Sequence, residues 1–430
     1  MLKLSRTLFM LTGKKKYADY YEKTFLNAIM ASVNGSDGMT LYFQPMASGC
    51  FKIFCNPDVN KNYFWCCTGT GLENFTKLGD SIYFHDENTL FVNQYVSSSI
   101  RFSECGVTVT QKTDLPVSDK VLLTVECGDC GKQNASCENQ TASGGFTLAL
   151  RIPEWVRGDV CVKADGTVLC KINCCTESED CSFEKTNGSS ADEMNAFIKD
   201  GYLFFENFIS ETTQLELTFP MCVTAENLPD NKNAYAFKYG PLVLAAHLGY
   251  ENKMIHQIGV LCDVSQNKIV RGKEMLLTGN YGGTNNLKPL RTEKILLKEN
   301  VDLFMQKINE HMVRSDTSEQ KLRFVLRDTS WPEEFVFTPY YLFTEERYGI
   351  YWLFTNNEAD LMQDDEEQNE TLVQGIGVGY GAQTEGNSET FPFMQETGSG
   401  SCADPNVLTR YAKAGGSFSY AVLSSCFLNL

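Results

Sequence analysis

The spacing of apolar residues changes once along the chain, at about residue 87. Before this point apolar side chains recur every three or four positions, as at Leu4, Leu8 and Leu11, which is the spacing of one helix face. From Leu90 onward the apolar period falls to two, which is typical of half-buried strands. The pattern therefore predicts helices over residues 1–87 and β structure after them.

The predicted β structure divides into two parts. Short alternating runs separated by Gly, Asn and Asp predict an antiparallel β-sandwich over residues 88–222. Its predicted strands are Leu90 to Val96, Val107 to Thr110, Val121 to Val125, Phe146 to Ile152, Tyr202 to Phe205 and Leu215 to Phe219. Residues 223–355 are again rich in strand patterns and are interpreted as a second sandwich, with one predicted helix from Asn300 to Val313.

The last part of the chain, residues 356–430, has a different composition. It begins with an acidic stretch rich in Asn and Gln, from Asn356 to Glu370, which is typical of a linker or a solvated loop. Residues Tyr411 to Tyr420 then read as a strand pair, and too few strands follow to close a sandwich. The expected fold class is therefore mixed α and β, mostly β.

Length and charge limit the classes of function. The 430 residues allow two or three domains, and 43% hydrophobic residues supply their cores. The formal net charge of -17 argues against nucleic acid or an anionic membrane as a partner. No run of 18 apolar residues occurs and the N-terminus lacks a signal-peptide pattern, so we expect a soluble chain, cytoplasmic or secreted.

The 17 cysteines leave the redox compartment open. Eight of them cluster between Cys127 and Cys181. They could form disulfides in an oxidising compartment, or they could remain thiols in a reducing one.

Cys66 and Cys67 form an adjacent pair directly before a predicted helix. Thr70 and Glu73 have the spacing of a capping box, so we expect Thr70 to be the N-cap of this helix. The free N–H groups and the dipole of a helix N-terminus stabilise an anion and favour a thiolate there. Consecutive Cα atoms lie about 3.8 Å apart, which disfavours a disulfide within the pair. A zinc ion bound by both sulfurs is therefore one interpretation, and two small buried apolar side chains are the other.

Cys50 and Cys55 allow a further, non-catalytic role for the pair. Their sulfurs could complete a four-sulfur structural zinc site together with those of Cys66 and Cys67. The four histidines of the chain show no mutual spacing of metal ligands. Glu73 lies close to the pair in sequence, but its position in the capping box explains it.

The sequence around the pair resembles the signature of a known family. Tyr63 to Glu73 (YFWCCTGTGLE) and Lys77 to Phe84 (KLGDSIYF) are similar to segments of the β-L-arabinofuranosidase group, glycoside hydrolase family 127 and its close relatives. Four further segments resemble the same family in the same order: Met1 to Arg6, Leu150 to Trp155, Ala236 to Leu244 and Glu346 to Trp352. The resemblance covers most of residues 1–355.

The resemblance implies that residues 1–87 are the last helices of an (α/α)6 toroid. In the family a Glu-x-Cys motif with two zinc ligands, and further upstream the acid/base glutamate, precede the helix that Met1 to Arg6 resembles. None of these three residues is present here, and the apolar helical pattern begins at Met1 without a capping residue. We therefore expect that most of the catalytic toroid is missing and that the chain alone is inactive.

The resemblance also implies a chemistry, that of a retaining glycoside hydrolase releasing terminal β-L-arabinofuranosyl or related sugars from plant-type glycans. Cys66 would be nucleophile and zinc ligand, and Cys67 a permanent zinc ligand. Tyr42 resembles the tyrosine of a family Tyr-x-Asn-Pro segment that faces the sugar, and a buried core tyrosine is the alternative. The alternative function is non-catalytic, a truncated chain whose β-sandwiches bind carbohydrate or are purely structural.

Overall fold

The computed structural model describes residues 1–41, 44, 52, 54, 66–103, 106–127, 146–174, 182–185, 195–208, 212–229, 231–249, 260–263, 268–271, 295–331, 334–344 and 346–361. Within these ranges a few helices come first and strands dominate afterwards, which confirms the predicted mixed fold, mostly β. The chain divides into two compact units. One contains Met1–Phe25 and Asn74–Cys222, and the other contains the described residues of Leu26–Glu73 and those from Val223 onward.

The N-terminal helices form where the apolar spacing predicts them, but the predicted face of the first is wrong. Its buried residues are Leu2, Ser5 and Phe9, whereas Leu4 and Leu11 are exposed. Helix α1 (Leu2–Thr12) ends at Gly13, whose left-handed backbone (φ 64°) lets its N–H donate to the carbonyl of Phe9. Helix α2 (Lys15–Thr24) continues as a π-helical turn and then a 3-10 turn. The bounds of these turns and of the next two helices are Phe25–Ile29, Met30–Ser32, α3 (Cys66–Lys77) and α4 (Gly79–Ile82).

The described strands of the first unit form two sheets. In chain order they are β1 (Tyr83–His85), β2 (Thr89–Val92), β3 (Ser98–Phe102), β4 (Val107–Thr113), β5 (Lys120–Cys127), β6 (Phe146–Arg151), β7 (Gly158–Ala164), β8 (Thr167–Cys174), β9 (Ser182–Lys185), β10 (Asn195–Lys199), β11 (Tyr202–Phe208) and β12 (Thr212–Thr218). The strand orders are β1-β2-β6-β11-β10 and β3-β4-β5-β12-β7-β8-β9.

Both sheets of the first unit share one apolar core. Leu123 and Leu148, from different sheets, both have no exposed surface in this cluster. Pairing is antiparallel as predicted, except that β2 and β6 are parallel. Three strands of the other sheet separate β2 from β6 in the chain, so the connection is long enough for the parallel pairing.

A hairpin in this sandwich is absent from the predicted strand set. Strands β7 and β8 pair through a turn at Asp165 (φ 47°) and Gly166 (φ 84°). Positive φ at both central residues is the geometry of a type I′ turn, for which Asp-Gly is a preferred sequence. The dipeptide Asp165-Gly166 could therefore have identified this hairpin from the sequence.

A buried charge cluster fixes α2 on this sandwich. Arg151, at the end of β6, has no exposed side chain, and it donates to Asp19 (2.5 Å) and to Glu22 (2.8 Å). Glu22 also accepts from the indole N–H of Trp155 (2.7 Å), and Lys15 pairs with Asp19 (2.9 Å). Burial lowers the pKa of Arg151, but Glu22 and Asp19 raise it by more. The cluster holds two cations and two anions and is therefore neutral.

Two cysteines of the predicted cluster are described with their side chains. Cys161 and Cys170 are both free thiols. Burial, and to a smaller extent the neighbouring Cys161, raises the pKa of Cys170 to about 12. The Cys170 thiol is therefore unreactive at neutral pH.

The second unit is built around one large sheet. Its described strands and helices are β13 (Val223–Asn227), β14 (Ala234–Tyr239), β15 (Leu242–His247), β16 (Val260–Asp263), β17 (Lys268–Arg271), β18 (Ile295–Leu296), α5 (Val301–Gln306), α6 (Ile308–His311), β19 (Met312–Arg314), β20 (Phe324–Leu326), β21 (Phe335–Pro339), β22 (Tyr348–Gly349) and β23 (Trp352–Thr355). Nine strands form the main sheet, in the order β18-β23-β14-β15-β21-β20-β19 with β13 on β14 and β22 on β15. Strands β16 and β17 form a separate pair.

The helix predicted from Asn300 to Val313 is helical as far as His311 apart from a break at Lys307, and the prediction is wrong at Met312 and Val313. Asn300 caps α5 as its side chain accepts from two backbone N–H groups of the first turn, but the helix is interrupted at Lys307. From Met312 the chain is a strand that pairs with β20. Pairing with a distant strand therefore overrides the local helical pattern. In the part of the chain that the structure describes, no helix is long and apolar enough to cross a membrane.

Candidate functional site

The Cys66–Cys67 pair lies in the first turn of α3 and not before the helix as predicted. Helix α3 begins at Cys66, so Thr70 is inside the helix and the prediction that it is the N-cap is wrong. Within this first part of the helix, the hydroxyl of Thr68 lies 2.8 Å from that of Thr40. The N–H groups of Cys66 and Cys67 thus belong to the first four of the helix, which have no intrahelical acceptor.

Helix α3 packs through a small residue. Gly71 is buried, and a Cβ at this position would lie 3.6 Å from the methyl group of Thr40. Four apolar residues recur at helical spacing, but only the last of them is buried, since Leu72 is 56% exposed and Phe75 is 40% exposed. The four are Leu72, Phe75, Leu78 and Ile82. The side of α3 that carries Gly71 therefore faces Thr40, and the apolar pattern of the helix does not mark its buried face.

Tyr42 lies outside the described residues, as do Cys50 and Cys55. The residues just before Tyr42 are described, and they lie beside α3. Leu41 forms a β-bridge with Phe54, and its N–H donates to the carbonyl of Ser32 (2.9 Å).

The Thr40–Thr68 contact brings two candidate segments together. Thr40 is two residues before Tyr42, and Thr68 is two residues after Cys66. Since the two hydroxyls are 2.8 Å apart, Thr40 and the start of α3, which carries the cysteine pair, are neighbours. The sequence pattern had no means of predicting this proximity, because 28 residues separate the two threonines.

Lys52 is a buried ionisable residue that the sequence analysis did not identify. Lys52 is 3% exposed. Its ammonium group donates a hydrogen bond to the carbonyl of Tyr340 (3.1 Å), and the same nitrogen lies 4.2 Å from the centre of the Tyr340 ring. Burial lowers the pKa of Lys52 to about 7. The sequence offered one signal for its burial. Phe54, two positions further on and therefore on the same face of an extended chain, is also buried.

The burial of Lys52 predicts a pH-dependent stability. The pKa of Lys52 is about 7 in the folded chain and 10.5 when the side chain is exposed to water, as in the unfolded chain. Between pH 7 and pH 10.5 the unfolded chain therefore binds more protons than the folded chain. The free energy of unfolding should therefore rise from pH 7 toward pH 10, and the penalty of several kcal/mol is complete below pH 7. We expect Lys52→Met to stabilise the protein most at pH 6 and least at pH 9 in urea denaturation.

The control for this prediction is Lys112→Met, which changes an exposed lysine on β4. It should leave the free energy of unfolding almost unchanged at both pH values. A gain from Lys52→Met that does not vary with pH would mean that Lys52 is not titrating as described.

Comparison with known families places this chain among the glycoside hydrolases. Residues 1–80 match the family described as "Beta-L-arabinofuranosidase, GH127 catalytic domain", and residues 89–221 match "Beta-L-arabinofuranosidase, GH127 middle domain". The chain belongs to the glycoside hydrolase family 127 group. Cys66, Cys67 and Tyr42 all fall within the catalytic-domain match.

The fold agrees with this assignment. The structure is similar to a GH127 β-L-arabinofuranosidase from Geobacillus stearothermophilus T6, with 16% identity, a TM-score of 0.50, and coverage of 82% of this chain and 48% of that chain. A glycoside hydrolase (14% identity, TM-score 0.48, 82% and 51% coverage) and a GH127 β-arabinofuranosidase (17%, 0.47, 82% and 48%) are also similar. The chain thus spans about half the length of these proteins. A search of curated proteins finds no match.

Proposed function

We propose that this chain is the C-terminal part of a retaining glycoside hydrolase that releases terminal β-L-arabinofuranosyl or related residues from plant-type glycans. The observation that supports this most directly is the Thr40–Thr68 contact. It places Thr40, two residues before Tyr42, beside the start of α3, which carries Cys66. Tyr42 and Cys66 are the two residues proposed to face and to attack the sugar. In this proposal residues 1–87 are the last helices of an (α/α)6 toroid.

Cys66 is the proposed nucleophile. Its position in the first turn of α3 favours the thiolate, which attacks the anomeric carbon. The bond from that carbon to the leaving oxygen breaks, and this oxygen takes a proton from a general acid. Water then attacks the same carbon, gives its proton to the conjugate base of that acid, and releases the Cys66 thiolate. Two successive inversions leave the configuration retained.

The donor chemistry of the cysteine pair fits one half of a zinc site. Cys66 and Cys67 would hold the ion, which when bound would keep both sulfurs deprotonated. The residues described here contain no group of three or more His, Cys, Asp or Glu arranged to hold a metal ion. In keeping with the family resemblance, the proposal takes the other two ligands, and the general acid, from protein sequence upstream of Met1.

The test compares two proteins on an aryl β-L-arabinofuranoside. One is the 430-residue chain, and the other is the same chain preceded by the residues encoded upstream of Met1. We expect hydrolysis only by the longer protein, because a general acid contributes about 10²- to 10⁴-fold. NMR of the first product should show the retained anomer.

Three results would contradict the proposal. A stop codon directly upstream, with no reading frame for a Glu-x-Cys motif, would favour the non-catalytic alternative. An inverted product would exclude the Cys66 glycosyl intermediate. Zinc-dependent hydrolysis by the 430-residue chain alone would show that its own residues supply the acid and remaining ligands, and Cys50, Cys55 and Glu73 would be mutated first.

A further inference from the structure

The outer face of the five-stranded sheet carries one row of side chains across all its strands. The residues in register are Phe84, Phe91, Ala149, Phe204 and Phe197, from β1, β2, β6, β11 and β10. Four of the five are aromatic. The row is thus a continuous apolar strip from one edge of the sheet to the other.

Helices α1 and α2 cover one end of this row. The ring of Phe9 lies 4.6 Å from that of Phe84 and 6.3 Å from that of Phe91, and Ala149 is completely buried beneath the helices. Phe197, at the other end, is outside this cluster and remains half-buried. The helices therefore leave the β10 end of the row accessible.

The ring of Phe197 presents one face at the sheet edge. It stacks on Phe204 with ring centres 5.1 Å apart and planes 6° apart. This separation is close to the spacing of neighbouring strands, about 4.8 Å, so the two rings stack along the direction between strands. Among the described strands β10 is the last of its sheet, β9 of the other sheet lies near it, and Phe197 keeps part of its surface accessible.

Polar side chains stand beside this aromatic face. Asn195 and Glu206 are opposite each other in the same strand pair, two positions from Phe197 and Phe204 and so on the same side of the sheet. The amide of Asn195 donates to the carboxylate of Glu206 (2.8 Å), and Asn195 is exposed. The pair offers the donors and acceptors that hydroxyl groups require.

We propose that Phe197, Phe204, Asn195 and Glu206 form a binding surface for a neutral glycan chain, on the domain that matches the GH127 middle domain. The exposed part of the Phe197 ring packs against the C–H face of a sugar ring, and Asn195 and Glu206 bond to its hydroxyls. A neutral ligand suits a chain with a net charge of -17, which repels polyanions. Such a surface would hold polymeric substrate near the enzyme and raise its effective concentration.

The other possible occupant of a sheet edge is a strand from a second protein, bound through unpaired backbone groups. The two occupants respond differently to changes at Phe197. Strand addition depends on the backbone and on apolar bulk, so it tolerates leucine. Stacking on a sugar depends on a flat aromatic face, so it tolerates tyrosine and loses affinity with leucine.

The test is native gel electrophoresis of the 430-residue chain with soluble arabinan or arabinoxylan in the gel. We expect the polysaccharide to retard the wild type and Phe197→Tyr, and we expect Phe197→Leu to weaken the apparent affinity about three- to ten-fold. Asn195→Ala should weaken it as well. Leu303→Ala, which changes an apolar residue 41% exposed on α5, should be retarded like the wild type.

The measurement needs no turnover, so failure of the proposed hydrolysis leaves this inference intact. It is overturned if neither polysaccharide retards the wild type. Equal retardation of Phe197→Leu and the wild type would overturn it as well. Circular dichroism of each variant shows whether the fold is kept, and a misfolded Phe197→Leu is replaced by Asn195→Ala, whose unchanged retardation would also count against the proposal.

Discussion

Replacing Cys66 with serine should reduce hydrolysis of an aryl β-L-arabinofuranoside by about 10³-fold or more in a protein extended by the proposed upstream catalytic segment. A serine hydroxyl remains protonated at neutral pH and is a much weaker nucleophile than a thiolate. Loss of a covalent nucleophile typically has an effect of this size or larger. The measurement is kcat from release of the aryl group.

Cys67→Ser is the matched control, because it makes the same chemical change one position further along α3. Cys67 is proposed only as a zinc ligand, so this variant should bind zinc more weakly and recover part of its activity in excess zinc. Cys66→Ser should not recover. Equal losses that zinc restores in both variants would show that Cys66 is a ligand and not the nucleophile.

Replacing Arg151 with methionine should lower the free energy of unfolding by about 3–5 kcal/mol. The guanidinium is completely buried and bonds to both Asp19 and Glu22. Its removal leaves two carboxylates with Lys15 as their cation in the cluster, and side chains of similar volume cannot replace the lost charge. Urea denaturation at neutral pH measures the effect.

The control for Arg151 is Arg101→Met, which changes an exposed arginine on β3 and should alter stability by less than about 0.5 kcal/mol. A triple variant, Arg151→Met with Asp19→Asn and Glu22→Gln, should recover much of the loss, because no carboxylate then remains buried without a cation, and the side chain of Lys15 is partly exposed to water (26%). Similar small effects from Arg151→Met and Arg101→Met would show that the cluster does not hold α2 on the sandwich.

The sequence by itself determined the fold class and much of the first sandwich. Strands such as β4 and β5 appear where the apolar period is two, because side chains of a strand alternate between core and solvent whatever their partners are. It also carried the signal for the β7–β8 hairpin in Asp165 and Gly166. Adjacent thiols at a helix start could be recognised in the same way, from residues close together in the chain.

Only the tertiary structure decided where α3 begins and which of its residues are buried. Local capping patterns favoured Thr70, but the helix begins at Cys66, and its Thr68 and Gly71 lie against Thr40. The same holds for Lys52, whose partner Tyr340 is 288 residues away in the chain. Periodicity reports only on neighbours in sequence, whereas burial and charge pairing depend on which distant segments meet.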